Sequence, residues 1–166
     1  MIRVSSPEDT DQVLSLYREG ARSPGGLARL AEEISRDYVY DFLDKAHRHG
    51  LGLVNLAEDG ETILGEIHSY SPALFCFSHV LSDLTICVSP RAQGQGTGRA
   101  LFEALMQSVI QTRPEFTRVE LIVRESNRRA IALYQSLGFV VEGKFAGRIK
   151  NVDGSFEADI PMAWNR

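Results

Sequence analysis

A glycine-rich turn between a strand and a helix is the feature that most restricts how this chain can fold. Residues 80–88 form an apolar run that ends at Ser89-Pro90, where proline lacks the N–H that strand pairing requires. The turn Gln93-Gly94-Gln95-Gly96-Thr97-Gly98 follows, and apolar residues then recur at helical spacing up to about Thr112. The β-branched segment 119–123 predicts the next strand. Strand, helix and strand in close succession predict a βαβ unit with parallel strands and a right-handed crossover.

Hydrophobic spacing predicts further elements on both sides of this unit. Before it we expect a helix from about Pro7 to Gly20 and then a break over 22–26. A second helix should follow, which carries Leu27, Leu30, Ala31, Ile34 and Tyr38. Residues 51–57 and 63–71 should then form a hairpin. After it we expect a helix that follows Asn127 and ends at Gly138, then strands over 139–147 and 156–164. These elements fit one α/β (α+β) domain over residues 1–166.

Composition narrows the possible partners. The formal net charge is −4 and no Lys/Arg run occurs, which disfavours nucleic acid and anionic membranes and fits a small or cationic partner. Neither of the two cysteines lies in a C-x-x-C pair, and His47-x-His49 lacks acids at ligand spacing, so no metal site is expected. The chain shows no signal peptide and no apolar run long enough for a membrane span, so we expect a cytoplasmic protein.

The chemistry of the glycine-rich turn points to a phosphate or pyrophosphate ligand. Glycines let the backbone approach a ligand closely, and exposed N–H groups at a helix start combine with the helix dipole to attract an anion. The Walker A motif is absent, because no Gly-Lys-Ser/Thr follows the turn. The dinucleotide fingerprint also fails, since its third glycine would fall at Arg99. A sharp turn that binds no ligand is the alternative.

Two segments together resemble the GNAT superfamily of N-acetyltransferases. Gln93-x-x-Gly96-x-Gly98, followed by Arg99-x-Leu101, is similar to the pyrophosphate motif Q/R-x-x-G-x-G/A of that family. Residues 127–139 resemble its segment N-x-x-A-x-x-L-Y-x-x-x-G-F. One helix and one strand separate the two, as in the family. The resemblance implies the GNAT fold, which is a mixed central sheet of about six to seven strands flanked by helices, with a parallel strand pair that splays apart to bind acetyl-CoA.

The resemblance also assigns cofactor contacts, with acetyl-CoA as the cosubstrate. It implies that pantetheine pairs with the backbone of one strand, that the pyrophosphate lies on the amides of the turn, and that one Asn lies near the pantetheine. The corresponding residues here are Ile86, Cys87 and Val88 for the strand, Gln93, Gly94, Gln95, Gly96, Thr97, Gly98 and Arg99 for the turn, and Asn127. Asn127 is also a good residue to cap the following helix, and the two roles are compatible.

Two residues are candidates for the catalytic chemistry. Tyr134 resembles the family's proton donor to the departing thiolate, and the resemblance implies that it lies near the cofactor sulfur. A core aromatic is the alternative. Asp83 matches a position where many members carry a Glu that acts as base, but Asp is shorter, and it is about as reasonable for its carboxylate to hydrogen-bond a strand irregularity. Cys87 lies in an apolar run, so we expect a buried small side chain and direct transfer rather than an acetyl-enzyme.

Three functions remain open from the sequence. The first is transfer of the acetyl group to a primary amine of a small molecule such as an amino acid, which the C-terminal pattern from Phe139 to Met162 favours by resemblance. The second is acetylation of a peptide or protein N-terminus, which would need a groove for extended backbone beside Arg22 to Gly26 and the last hairpin. The third is an acyl-CoA-binding module without catalysis, since a fold alone does not fix a function. A homodimer paired through the C-terminal strands is also predicted as a possible assembly.

Overall fold

Eight strands form one mixed sheet in the computed structural model, which describes residues 1–23 and 27–166. The strands are β1 Ile2–Val4, β2 Gly50–Leu56, β3 Ile63–Tyr70, β4 Val80–Val88, β5 Arg118–Arg124, β6 Val140–Val141, β7 Phe145–Lys150 and β8 Phe156–Asn165. Their order is β1-β2-β3-β4-β5-β8-β6, and β7 also pairs with β8. The predicted fold class is confirmed, with eight strands where six to seven were expected.

Helices cover both faces of the sheet, and each face has its own apolar core. The helices are α1 Thr10–Ala21, α2 Arg36–His49, α3 Thr97–Thr112 and α4 Arg128–Ser136. On one face, Leu101 and Phe102 of α3 pack with β5 and with Tyr134 of α4. On the other face, Tyr17 of α1 packs with Phe42 of α2. Each large apolar side chain fully buried in this way contributes about 1.5–3 kcal/mol to stability.

The second helix begins later than its hydrophobic spacing predicted. We expected it to include Leu27 and Leu30, but the chain forms only the short turn Ala31–Glu33 and then an extended residue, Ile34, before α2 starts at Arg36. Ser35 sets this start, because its side chain accepts a hydrogen bond from the backbone N–H of Tyr38 at 3.1 Å. Part of the break predicted over 22–26 lies outside the described residues, which omit 24–26.

The parallel strands β4 and β5 pair only at their beginnings. Val80 lies opposite Arg118 and Leu81 opposite Val119, and no further pair joins the two strands among the described residues. Beyond this point β4 stays paired with β3, and β5 with β8. The predicted parallel pair that splays apart is therefore confirmed.

The segment predicted as one strand over 139–147 is divided into β6 and β7, and Pro161 of β8 explains the interruption. The N–H of Glu142 donates to the carbonyl of Pro161 at 3.0 Å. An antiparallel ladder needs a return bond from the N–H of the same partner residue, which proline lacks. Pairing resumes at β7, where Phe145 lies opposite Asp159.

Candidate active site

The divergence of β4 and β5 opens a cleft of ≈ 860 Å³ in the middle of the sheet. It is lined by the second half of β4, the glycine-rich turn, the end of β5, one face of α4 and the segment around Leu27. Of the residues predicted for the site, ten line the cleft: Ile86, Cys87, Val88, Gln93, Gly94, Gly96, Gly98, Arg99, Asn127 and Tyr134. Gln95, Thr97 and Asp83 do not line it.

The glycine-rich turn has the backbone geometry of an open anion-binding loop. Gly94 has φ 78° and Gly96 has φ 87°, values that favour glycine, and no heavy atom lies within 4 Å of where a Cβ would stand at either position. Gly96 caps α3 without a side-chain hydrogen bond, and the first turn of the helix carries no acidic residue. The N–H groups at this helix start are therefore available to a ligand, with the positive end of the helix dipole behind them.

Two amide side chains hold the turn in place. Gln93 donates from Nε2 to the carbonyl of Val88 at 3.0 Å, and Gln95 donates from Nε2 to the carbonyl of Arg91 at 2.8 Å. Gln95 therefore has a structural role in the turn although it lies outside the cleft lining. Arg99 extends from α3 towards α4, where its guanidinium lies 3.3 Å from the hydroxyl of Ser136.

One edge of β4 is open to the cleft. Ile86, Cys87 and Val88 pair with β3 along the other edge, opposite Ile67, Glu66 and Gly65. Since β5 has diverged, no strand among the described residues pairs with their cleft-side edge. An unpaired strand edge offers a row of N–H and C=O groups that an extended chain bearing amides can satisfy.

Most of the charged residues that line the cleft are arginines. Arg99, Arg124 and Arg129 line it, whereas Asp159 is the one acidic residue in the described lining. A cleft with one predominant sign of charge concentrates ligands of the opposite sign. The chain as a whole has a net charge of −4, so overall charge did not reveal this local excess of arginine.

Tyr134 projects from α4 into both the cleft and the core. It is 7% exposed, and its ring packs against Phe102 and Phe139 at centroid distances of 5.1 Å and 6.4 Å. Burial raises the pKa of its phenol to about 12, so the hydroxyl remains protonated at neutral pH. Tyr134 therefore packs in the core and also lines the cleft.

Asn127 caps α4 from the rim of the cleft. Its side-chain Oδ1 accepts a hydrogen bond from the backbone N–H of Ala130 at 3.2 Å. The capping role is confirmed. The side chain also lines the cleft, which keeps it near any ligand bound there.

Asp83 occupies the strand irregularity that the sequence left as an alternative. It has φ 52°, which is rare outside glycine, and lies where the β3–β4 register shifts between His68 and Tyr70. The residue is exposed, and its charge, with burial as the larger cause, helps raise the pKa of Tyr70 to about 12. Asp83 therefore lies beside the cleft on the side of β3.

Beneath this part of the sheet is a buried polar cluster that motif reasoning missed. The phenol of Tyr17 donates to Glu66 Oε2 at 2.6 Å, and His68 Nδ1 lies 3.1 Å from the same oxygen. Burial and the adjacent Glu66 raise the pKa of Tyr17 well above its ordinary value. Cys87 is also buried, which raises the pKa of its thiol and leaves it a poor nucleophile near neutral pH.

The described part of the chain contains neither a metal-binding cluster nor a membrane-spanning helix. No group of three or more His, Cys, Asp or Glu residues is placed to hold a metal ion. No helix there has both the length and the apolar character needed to cross a bilayer.

Comparison with known proteins places this geometry in a family. Residues 11–139 match the acetyltransferase (GNAT) family. Over 71 residues the chain is 45% identical to ribosomal protein bS18-alanine N-acetyltransferase of Escherichia coli strain K12, a match that covers 40% of this chain and 47% of the relative. The chain thus spans about half the length of the curated relative that it matches.

Solved structures extend the similarity to the whole fold. An acetyltransferase of the GNAT family from Streptococcus pneumoniae superposes with a TM-score of 0.87 at 23% identity, covering 100% of this chain and 99% of that one. A phosphinothricin acetyltransferase of Sinorhizobium meliloti, solved in complex with acetyl-CoA, gives a TM-score of 0.83 at 19% identity and covers 99% and 87%. With the family match over most of the chain, these similarities show that the chain belongs to the GNAT family of acetyltransferases.

Proposed function

We propose that the chain is an N-acetyltransferase that binds acetyl-CoA in the central cleft and transfers the acetyl group directly to a primary amine. The observation that carries this proposal is the splayed β4–β5 pair with the glycine-rich turn at its mouth. An open strand edge followed by an open helix N-terminus suits an extended ligand that has amides at one end and a pyrophosphate at the other.

The residues around the cleft fit the parts of acetyl-CoA. We expect the pyrophosphate on the amides from Gly94 to Arg99, the pantetheine along the free edge of β4 from Ile86 to Val88, and Asn127 near the pantetheine. The arginines that line the cleft supply charge opposite to that of the phosphates. The thioester supplies the activated acyl group, and the protein must bind it, polarise its carbonyl and manage the protons.

Each chemical requirement has a candidate group. Backbone N–H groups near Ile86 to Val88 are suited to stabilise the oxyanion, and removing such a donor typically costs about 3 kcal/mol in the transition state. Tyr134 donates its phenolic hydrogen towards the departing thiolate. The buried thiol of Cys87, with its raised pKa, supports direct transfer over an acetyl-enzyme. Asp83 remains the base candidate by resemblance, with a water bridge to the amine.

The acceptor is proposed to be a small primary amine, such as an amino acid. The phosphinothricin acetyltransferase among the similar structures is named for a small-molecule acceptor. A peptide or protein N-terminus is the second candidate, because the curated relative at 45% identity is named for the alanine of a ribosomal protein. Homodimerisation stays a prediction, which light scattering at the assay concentration tests.

One experiment separates these acceptors from the non-catalytic binding module. Thiol release from acetyl-CoA is measured with free amino acids, polyamines, amino sugars and an alanine-initiated tetrapeptide, and mass spectrometry identifies the acetylated product. We expect amine-dependent release, greatest with an amino acid. If calorimetry shows that acetyl-CoA binds but no amine raises thiol release above background, only the non-catalytic binding module remains. Absence of acetyl-CoA binding would overturn the site itself.

A further inference from the structure

Asp159 of β8 lines the cleft beside the end of β5, and the family resemblance assigns it no role. Val119, Leu121 and Val123 lie in the core with α3 and α4, so the alternate residues Ile122 and Arg124 face the opposite side of the sheet. Asp159 of β8 lies opposite Arg124 in the antiparallel register. Residues opposite each other share a face, which places Asp159 beside Arg124 where both line the cleft.

Arg124 is already engaged by other side chains. Its guanidinium lies 3.0 Å from Glu157 Oε1 and donates to Asn151 Oδ1 at 2.8 Å. Glu157 also accepts a hydrogen bond from the backbone N–H of Ser126 at 3.1 Å. Arg124 is thus held near Glu157 and Asn151, but its buried Nε makes no hydrogen bond with the described residues, and its charge acts to lower the pKa of Asp159.

Asp159 is by contrast a weakly paired, mostly buried carboxylate. Its side chain is 17% exposed, and its ion-pair partner is Arg148 of β7, at 3.6 Å and itself half-exposed. Its carboxylate accepts no hydrogen bond from residues 1–23 or 27–166. A carboxylate in this state retains the capacity to accept several hydrogen bonds from a bound ligand.

The local electrostatics favour a carboxylate that can take up a proton. Burial, the largest effect, raises the pKa of Asp159, and Glu157 acts in the same direction. Arg148 and Arg124 act against them, and the net direction is upward. A base with a raised pKa retains a proton better than an ordinary aspartate, which suits general base catalysis.

We propose that Asp159 binds the ammonium group of the acceptor and relays one of its protons to water as the amine attacks the thioester. This inference rests on the proposed function and assigns to Asp159 the base role that the resemblance gives to Asp83. It concerns the same cleft, which Tyr134 also lines. Asp159 is the one acidic residue in the described lining. It lies beside Arg124 and 3.6 Å from Arg148, so the ammonium group competes with these two arginines for its carboxylate.

The protons balance as follows. The ammonium gives one proton to Asp159, and the neutral amine forms the C–N bond as the thioester C–S bond breaks. The nitrogen then loses a second proton to become the amide, while the thiolate gains one and leaves as the thiol. One proton in total is released to water, which discharges Asp159 for the next turnover.

The test compares Asp159→Asn, which removes the base, with Asp159→Glu, which keeps a carboxylate. Asp153→Asn is the matched control, because it makes the same change on an exposed turn of the same hairpin. The acceptor is the panel amine on which the wild type has its highest kcat/KM, and rates are taken from pH 6.5 to 9. Calorimetric affinity for acetyl-CoA checks that each variant is folded.

We expect Asp159→Asn to lower kcat/KM for the amine about 100-fold at pH 7 while acetyl-CoA affinity stays unchanged. The deficit should shrink about tenfold for each pH unit, because below the amine pKa the neutral amine becomes that much more abundant. Asp159→Glu should keep the wild-type pH profile, and Asp153→Asn the wild-type rate.

Two results would overturn the inference while the proposed function survives. One is a wild-type kcat/KM for Asp159→Asn across the pH range. The other is a loss that does not change with pH and that Asp159→Glu shares, since a structural role behaves in that way. A wild-type protein that releases no thiol with any amine overturns the proposed function, and this inference with it.

Discussion

The hydroxyl of Tyr134 offers the sharpest separation of catalysis from binding and stability. Tyr134→Phe removes one oxygen and keeps the ring that packs against Phe102 and Phe139. Burial is the resolved cause of the raised phenol pKa, and the phenol makes no hydrogen bond with the described residues. Its loss should therefore leave the free energy of unfolding nearly unchanged, because no bond to the described residues is broken and the packed ring is kept.

The expected effect on turnover follows from the pKa. A phenol with a pKa of about 12 is a weaker acid than an ordinary thiol near 8.5, so complete transfer of its proton to a thiolate would be uphill by about 5 kcal/mol. On the proposed function, Tyr134 would then act mainly by hydrogen-bonding the developing thiolate, with the final proton supplied by solvent. Hydrogen bonds to charged groups are worth about 1.5–3 kcal/mol, which corresponds to a fall in kcat of roughly 10- to 150-fold.

The assay measures kcat by thiol release, acetyl-CoA affinity by calorimetry and stability by urea denaturation. Tyr40→Phe on α2 is the control, since it removes the same atom from an exposed tyrosine. We expect Tyr134→Phe to change kcat alone and Tyr40→Phe to change nothing. Equal kcat for wild type and Tyr134→Phe would refute the assignment and leave solvent as the proton source. A parallel loss of stability would instead show a missed hydrogen bond.

Three further predictions use other parts of the fold. Gly96→Glu should weaken acetyl-CoA binding at least tenfold by calorimetry, whereas Gly60→Glu, at an equally open glycine with φ 73° in a distant turn, should not. Burial raises the pKa of Cys87, Tyr17 and Tyr134 in the folded state, so urea denaturation should show stability that falls above about pH 9, with Tyr134 contributing a loss of about 2 kcal/mol by pH 12. Ser35→Ala should cost about 1 kcal/mol on thermal denaturation.

The elements that local signals specify were predictable from the sequence. The turn before α3 and the asparagine before α4 define helix starts through glycine geometry and capping, and both lie where predicted. The start of α2 was predicted wrongly, because hydrophobic spacing from Leu27 continued through a segment that Ser35 interrupts by capping. Ile34 is 0% exposed although it is not in a helix. Its apolar side chain is required by tertiary packing, and it continued the helical spacing only by coincidence.

The cleft was predicted only where a motif marks it. Its glycines and Tyr134 belong to recognisable patterns, whereas Arg124 and Asp159 meet through a register that no local pattern encodes. Their shared face depends on which residue of β8 lies opposite the end of β5, and a shift of one residue would reverse the face. The position of Arg124 at the end of a strand beside Asn127 was the one local signal available.

The divergence of β4 and β5 is explained by the pairing of each strand with its other neighbour. β4 pairs with β3 from Gly65 to Tyr70, and β5 pairs with β8 along its whole length, so neither strand needs the other to stay extended. Opening the ladder after Leu81 forgoes a few hydrogen bonds of about 1 kcal/mol each, because water can replace the partners at an open edge. The irregularity at Asp83, with its positive φ, lies two residues beyond Leu81, where the last β4–β5 pair stands. A ligand that pairs with the free edge would restore those bonds without moving the scaffold, which is why a rigid sheet can present an interior binding groove.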